Sequence, residues 1–151
     1  MKALLILAIV VWLVYSKSIV LTDKDFTSGN VVDSAGHGTN AWFIKFYLPT
    51  CYHCQQFAPT WDKFVAEFEK TENIKFGELD CSKYRSTCLR FDVRGVPTLL
   101  MFKDNFFSEY TYPFDFNRLS EYINFQQYDE DLLTERAPIP SAATNQHVKP
   151  K

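Results

Sequence analysis

AWFIKFYLPTCYHC, residues 41–54, brings two cysteines together directly after a nearly unbroken apolar run. Only Lys45 interrupts the run over residues 41–48, which predicts a strand that is covered on both faces and central in its sheet. After Cys54, apolar residues recur at spacings of three and four, as on one face of a helix that ends near Lys70. The members of that face are Phe57, Trp61, Phe64, Val65 and Phe68. The cysteine pair therefore lies between a buried strand and an amphipathic helix.

This position favours redox chemistry at the two cysteines. A thiolate attacks disulfides, and a helix N-terminus lowers the pKa of a cysteine through its unpaired N–H groups and its positive dipole end. Cys51 stands at that place with His53 beside it, so we predict that Cys51 attacks and that Cys54, one turn into the helix, releases the mixed disulfide. The alternatives are an inert structural disulfide and a zinc site, for which the other cysteines lack the paired spacing. We predict no metal and no cofactor.

The remaining apolar patterns predict an α/β fold. Strands that alternate with helices, followed by a hairpin and a closing helix, imply a central mixed β-sheet flanked by helices in the order βαβαββα, which is a thioredoxin-like arrangement. The predicted strands cover residues 19–21, 41–48, 74–80, 98–103 and 106–112, and the predicted helices cover 22–26, 54–70, 84–91 and 115–125.

The composition sets the two ends of the chain apart. Residues 1–16 combine Lys2 with an apolar run, which predicts a secretory signal peptide cleaved after Ser16 or Ser18, with an uncleaved membrane anchor as the alternative. One domain is predicted over 18–125, and residues 126–151, acidic at first and then containing Pro, Ala and Thr, are predicted to be a disordered tail. The net charge of −2 gives no positive excess for nucleic acid or anionic membranes. We expect a monomer without nucleic-acid or membrane partners after cleavage.

Two longer segments carry a resemblance to a known family. FIKFYLPTCYHCQQFAPTW, residues 43–61, resembles the FIKFYAPWCGHC...LAPTW core of protein disulfide isomerase domains. ELDCSKYRSTCLRFDVRGVPTLLMFKD, residues 78–104, resembles their VDCT...C...VRGYPTLLLF segment. The likeness covers about residues 18–125 and is closest to the thioredoxin domain-containing proteins of the endoplasmic reticulum.

The resemblance implies a thiol–disulfide oxidoreductase, of the protein disulfide isomerase type, that acts on the cysteines of folding secretory proteins. Its remaining partner would be a thiol oxidase or a reductant. The endoplasmic reticulum lumen is the expected location, and secretion stays open because the C-terminus carries no KDEL-like signal. The alternatives are a redox-inert binding or chaperone module and a dedicated disulfide reductase.

The resemblance also implies roles for single residues. Pro97 matches the cis-proline that faces the cysteine motif and holds substrate together with its neighbour Val96, and Tyr52 joins them at the rim. Arg94 matches an arginine that promotes ionisation of the buried cysteine, the alternative being a solvated loop arginine. A further pair, Cys81 and Cys88, matches a structural, non-catalytic disulfide.

Three positions depart from the family pattern. Tyr52 replaces the glycine of CGHC and Thr50 replaces the tryptophan before it, so the rim of the site and its reduction potential are expected to differ. Lys45 occupies the place where the best-known domains keep a buried glutamate that shuttles the proton of Cys54. This lysine is a candidate catalytic base, or a fixed charge that favours the Cys54 thiolate, or a side chain that reaches water along its stem.

Overall fold

The computed structural model describes residues 18–27, 30–31 and 41–141 of the 151-residue chain. The predicted signal peptide and the last part of the predicted tail, from residue 142, lie outside the described residues. Within the described ranges, no helix combines the length and hydropathy that crossing a membrane requires.

Strands and helices follow one another along the described chain as the apolar patterns predict, with additions near both ends. The strands are β1 (Ile19–Val20), β2 (Phe26–Thr27), β3 (Asn30–Val31), β4 (Ala41–Tyr47), β5 (Ile74–Asp80), β6 (Thr98–Lys103), β7 (Phe106–Glu109) and β8 (Ala137–Pro138). The helices are α1 (Tyr52–Phe68), α2 (Arg85–Arg90), α3 (Phe116–Asn124) and α4 (Gln127–Thr134), with a single 3-10 turn at Asp23–Asp25.

Six strands form one mixed sheet in the order β1-β5-β4-β6-β7-β8. The pairs β1–β5 and β5–β4 are parallel, and the pairs from β4 through β6 and β7 to β8 are antiparallel. β2 and β3 pair separately as a short antiparallel ribbon. The predicted central place of β4 and the predicted mixed sheet are confirmed.

Both faces of the sheet are covered, which explains the unbroken apolar run in β4. Successive side chains of a strand point to opposite faces, so Phe43 packs with Trp61 of α1 on one face, while Trp42 and Phe46 pack with Phe91 and the α2 segment on the other. Full burial of one such side chain contributes about 1.5–3 kcal/mol to the free energy of folding. The buried strand and α1 together hold the cysteine motif at the carboxyl end of β4.

The chain after Gln126 differs from its sequence prediction, which was wrong for residues 127–139. These residues form α4 and β8 instead of a disordered tail, and β8 pairs with the sheet edge at β7. Leu132 is buried in the core on the α1 face, and Asp129 accepts a hydrogen bond from Lys103 at 2.6 Å. A composition argument averages over the segment and misses the few apolar side chains that anchor it, Leu132 and Ile139 among them.

Smaller differences concern the ends of elements. Residues 22–26 form a 3-10 turn that leads into β2, whereas a helical turn up to Phe26 was predicted. β7 ends at Glu109, three residues before the predicted end, and the Tyr110 that follows it is buried and donates its hydroxyl to the Pro113 carbonyl. Neither difference alters the cysteine motif.

Candidate active site

Cys51 is the N-cap of α1, the position predicted for the attacking cysteine. Its Sγ accepts a hydrogen bond from the Cys54 N–H at 3.4 Å, and its thiol donates to the Val96 carbonyl at 3.6 Å. The pKa of Cys51 is lowered, first by the backbone N–H of Cys54 and then by the Cys54 thiol; desolvation opposes them, and the backbone N–H of His53 lowers the pKa a little further. The helix terminus thus favours a thiolate at the surface of the domain.

Cys54 lies behind Cys51 and has the opposite tendency. Its side chain is buried, and burial is the main reason why its pKa is raised to about 11. The Leu48 backbone lowers this pKa, the Cys51 thiol raises it, and the positive charge of Lys45 lowers it. Both cysteines are free thiols in this structure, and they differ in exposure in the order predicted for attack and resolution.

The rim around Cys51 is aromatic and contains the proline loop. Tyr52 is 67% exposed, and its ring meets that of His53 at 5.6 Å between centroids in an edge-to-face arrangement. The Val96–Pro97 peptide bond is cis, as the resemblance implies, and the Val96 carbonyl reaches Cys51. The structure therefore places the Val96–Pro97 loop next to Cys51, whose chain neighbours are Tyr52 and His53.

Arg94 has another partner in this structure. Its Nε donates to Oδ1 of Asp92 at 2.6 Å, and both side chains are 74% exposed. The charged groups that shift the pKa of Cys54 are Cys51 and Lys45. The alternative of a solvated loop arginine describes Arg94 here, and its role in ionising Cys54 stays a prediction.

Lys45 is buried in an ion pair, so the alternative that its ammonium reaches water is wrong. Its Nζ lies 3.1 Å from Oε2 of Glu78, with side-chain exposures of 8% and 9%. The two residues are direct neighbours in the parallel register of β4 and β5. Lys45 thus meets a carboxylate on the next strand before its stem can extend to solvent.

Glu78 and Ser18 belong to this site, although sequence reasoning missed both. The Ser18 hydroxyl donates to Oε2 of Glu78 at 2.8 Å and accepts from Nε1 of Trp61 at 3.2 Å. One signal was available for Glu78: in the alternation of β5 it follows Ile74 and Phe76 on the same face, where an acidic residue needs a buried partner.

A disulfide joins Cys81 and Cys88, the pairing that the resemblance implies, with their Cα atoms 5.9 Å apart. It connects the residue after β5 to α2, and the Cys81 N–H donates to the Tyr47 carbonyl at 2.9 Å. The bridge closes a short loop and contributes about 2.5 kcal/mol in the chain-entropy model. Across the described ranges, no group of three His, Cys, Asp or Glu side chains is placed to hold a metal ion.

Comparison with known proteins gives one family match. The family model named Thioredoxin matches residues 17–124. The thioredoxin domain-containing protein 5 homolog of Drosophila melanogaster is 39% identical over 87 residues, covering 54% of this chain and 21% of that protein. Protein disulfide-isomerase 5-1 of Arabidopsis thaliana is 31% identical over 99 residues, covering 66% of this chain and 64% of that protein.

A solved structure agrees with the fold. The first thioredoxin domain of mouse protein disulfide-isomerase A4 superposes with a TM-score of 0.60 at 21% identity, covering 87% of this chain and 84% of that domain. At this identity the likeness supports the fold, which is the predicted thioredoxin fold. The chain spans less than two thirds of the length of the curated relatives that it matches.

Proposed function

This chain belongs to the thioredoxin family, and on that premise we propose that it is a thiol–disulfide oxidoreductase of the protein disulfide isomerase type, acting on the cysteines of folding secretory proteins. The observation that carries the proposal is the arrangement of two free thiols at the N-terminus of α1, with the pKa of Cys51 lowered and that of Cys54 raised. The names of the relatives from Drosophila and Arabidopsis support the same class of activity.

The reaction follows from this difference between the two thiols. The Cys51 thiolate attacks one sulfur of a substrate disulfide, so a Cys51–substrate bond forms while the substrate S–S bond breaks, and the released sulfur takes up a proton. Cys54 then attacks Sγ of Cys51, which forms the Cys51–Cys54 disulfide and releases the second substrate sulfur as a thiol. The substrate gains two electrons and the protein loses them. The reverse sequence introduces a disulfide into the substrate. If another substrate cysteine, instead of Cys54, attacks the mixed disulfide, Cys51 is released and the substrate disulfides are rearranged.

Substrate would lie along the Val96–Pro97 loop. The Val96 carbonyl already receives the Cys51 thiol, so an extended peptide placed there would present its sulfur to the helix N-terminus. The exposed ring of Tyr52 would pack on an apolar side chain that flanks the substrate cysteine. The backbone N–H of His53 would further stabilise the Cys51 thiolate.

A secretory location accords with the cysteine chemistry. The Cys81–Cys88 disulfide is of the kind that persists in oxidising compartments, and the predicted signal peptide would deliver the chain there. A thiol oxidase or a reductant would reset the Cys51–Cys54 couple after each turnover.

Trapping the covalent intermediate tests the proposal. In Cys54→Ser, Cys51 attacks but cannot be released, so a mixed disulfide with a disulfide-containing protein such as insulin should accumulate on non-reducing gels. Cys51→Ser is the matched control and should trap nothing. Wild-type protein should reduce insulin and rearrange scrambled disulfides. Reduction without rearrangement would identify a dedicated reductase, and binding without any mixed disulfide would identify a redox-inert module.

A further inference from the structure

The face of the sheet that packs on α1 changes from apolar to charged just below the cysteine motif. Phe43 on β4 and Phe76 on β5 are register partners in the core of this face. The next pair along the same face, two residues closer to the motif, is Lys45 and Glu78. Both are at least nine-tenths buried.

This charged pair is held on several sides. Oε2 of Glu78 lies 3.1 Å from the Lys45 ammonium and accepts the Ser18 hydroxyl at 2.8 Å. Trp61 donates its indole N–H to the same hydroxyl, and the Lys45 ammonium lies 5.6 Å from the centre of the Trp61 ring. Ser18 before β1 and Lys45 on β4 thus converge on the Glu78 carboxylate, and Trp61 of α1 holds the Ser18 hydroxyl in place, which leaves Lys45 little freedom to move.

Stability alone does not account for such a pair. Removing two charges from water costs about as much as their attraction returns, and an apolar pair of similar volume is often as stable or more stable. The active site suggests another reason, because Lys45 lies on the strand that leads into the motif and its charge lowers the pKa of Cys54, while burial raises that pKa.

We propose that Glu78 and Ser18 are positioning residues that hold the Lys45 ammonium beside Cys54 as a fixed positive charge, which lets Cys54 ionise and resolve the mixed disulfide without a protein base. The inference rests on the proposed function and assigns the part that this buried pair plays in it. Of the two predicted cleavage sites it requires the one after Ser16, because cleavage after Ser18 would remove the Ser18 hydroxyl.

The chemistry of a paired ammonium decides between the two roles open to Lys45. An ammonium that is paired with a carboxylate has no free lone pair, so it does not take the proton of Cys54, but its charge stabilises the thiolate. The Cys54 sulfur then forms a bond to Sγ of Cys51, the bond from Cys51 to the substrate sulfur breaks, and the electron pair leaves on that sulfur. The proton of Cys54 passes through water to the leaving substrate thiolate, so no other reactant is needed.

Other titratable groups adjoin the pair and have to be separated from it in a test. Tyr47 follows Lys45 on β4, and its pKa is raised by burial, then by Glu78 and then by Asp80. Asp80 follows Glu78 on the same face of β5, and Cys51 interacts with Cys54 directly. Asp80→Asn therefore serves as a matched control, since it removes a neighbouring buried carboxylate that does not contact Lys45 in the structure.

The experiment measures both steps of exchange with a disulfide-containing test peptide from pH 6 to 9, by acid quench. Glu78→Gln removes the carboxylate that holds the ammonium, so the Lys45 charge is no longer fixed in its place near the motif. The mixed disulfide should then live about tenfold longer at pH 7, which equals one pKa unit at Cys54, and its pH profile should move upward. The first attack by Cys51 should change less than twofold. Glu78→Asp and Ser18→Ala should fall between wild type and Glu78→Gln, and Asp80→Asn should match wild type.

Double variants separate positioning from a direct role. If Glu78 acts only through Lys45, Lys45→Met with Glu78→Gln should be no slower than Lys45→Met alone. An additional slowing would mean that Glu78 accepts the proton itself and would overturn the inference. Lys45→Met with Glu78→Leu should keep the thermal unfolding midpoint but retain the slow resolution, which excludes a merely structural effect.

Failure of the inference and failure of the proposed function look different. An unchanged lifetime in Glu78→Gln, in a protein that forms and resolves the mixed disulfide normally, refutes only the role of Glu78 and Ser18. Absence of any mixed disulfide in Cys54→Ser refutes the function on which the inference rests.

Discussion

In the reduced protein, limiting iodoacetamide at pH 7 should label Cys51 long before Cys54. Burial raises the pKa of Cys54 to about 11, so only about one Cys54 in 10⁴ is a thiolate at pH 7, from 10^(7−11). An ordinary thiol with a pKa of about 8.5 is about 3% ionised at that pH, which is about 300 times more. Cys51 should exceed this fraction, because the helix N–H groups lower its pKa.

The ratio of the two alkylation rates is smaller than the ratio of the two thiolate fractions. Thiolate reactivity falls as the thiol pKa falls, with a Brønsted coefficient of about 0.4–0.5, which removes about one factor of ten. Cys51 should therefore react at least about twentyfold faster than Cys54, before its greater exposure is counted.

Peptide mass mapping after timed alkylation measures both rates. The labelling of Cys54 should also rise about tenfold for each pH unit between 7 and 9, because these values lie below its pKa of about 11. Equal labelling of the two cysteines at pH 7, or faster labelling of Cys54, would refute the assigned order of attack and resolution.

Three further predictions follow from particular contacts. The Cys81–Cys88 disulfide should survive mild reduction that opens the Cys51–Cys54 disulfide, because no helix N-terminus stabilises a thiolate at the Cys81–Cys88 bridge. Partial reduction followed by mass mapping tests this. Free thiols at both positions, in protein purified from an oxidising compartment, would contradict it. Lys45→Met should lengthen the lifetime of the mixed disulfide. Lys45→Glu should also fail to give the wild-type lifetime, because two carboxylates would then face each other across β4 and β5. A wild-type lifetime in either variant would contradict this. Leu132→Ala opens a cavity in the core, so it should lower the free energy of unfolding, measured by denaturant titration, by about 2–4 kcal/mol. A loss below about 0.5 kcal/mol would mean that α4 is not part of the fold.

The success of sequence reasoning depended on how local the signal was. The apolar run of β4 and the three-and-four spacing of α1 are local patterns, and both elements formed where they were predicted, within one or two residues. The N-terminal place of Cys51 on α1 followed from them. The pairing of Cys81 with Cys88 and the cis bond before Pro97 came from the resemblance, not from any local pattern.

Contacts between distant elements were beyond the sequence. The partner of Lys45 depends on the register of β4 against β5, and a slip of one residue would turn Glu78 to the opposite face. Without that register, burial of Lys45 could not be told from an extended side chain that reaches water. The order of α4 and β8 likewise rests on Leu132 and Ile139, whose core contacts are with residues far away along the chain.

The reduction potential of the Cys51–Cys54 couple tests the central claim most directly, because a catalytic couple has to exchange electrons with substrate cysteines. It is measured by equilibrating the protein with glutathione buffers of known ratio and quantifying the two redox forms after acid quench. We predict a value between about −270 and −180 mV, the range from thioredoxin to protein disulfide isomerase. A value below about −300 mV, typical of structural disulfides, would contradict the assignment of this pair as a redox centre.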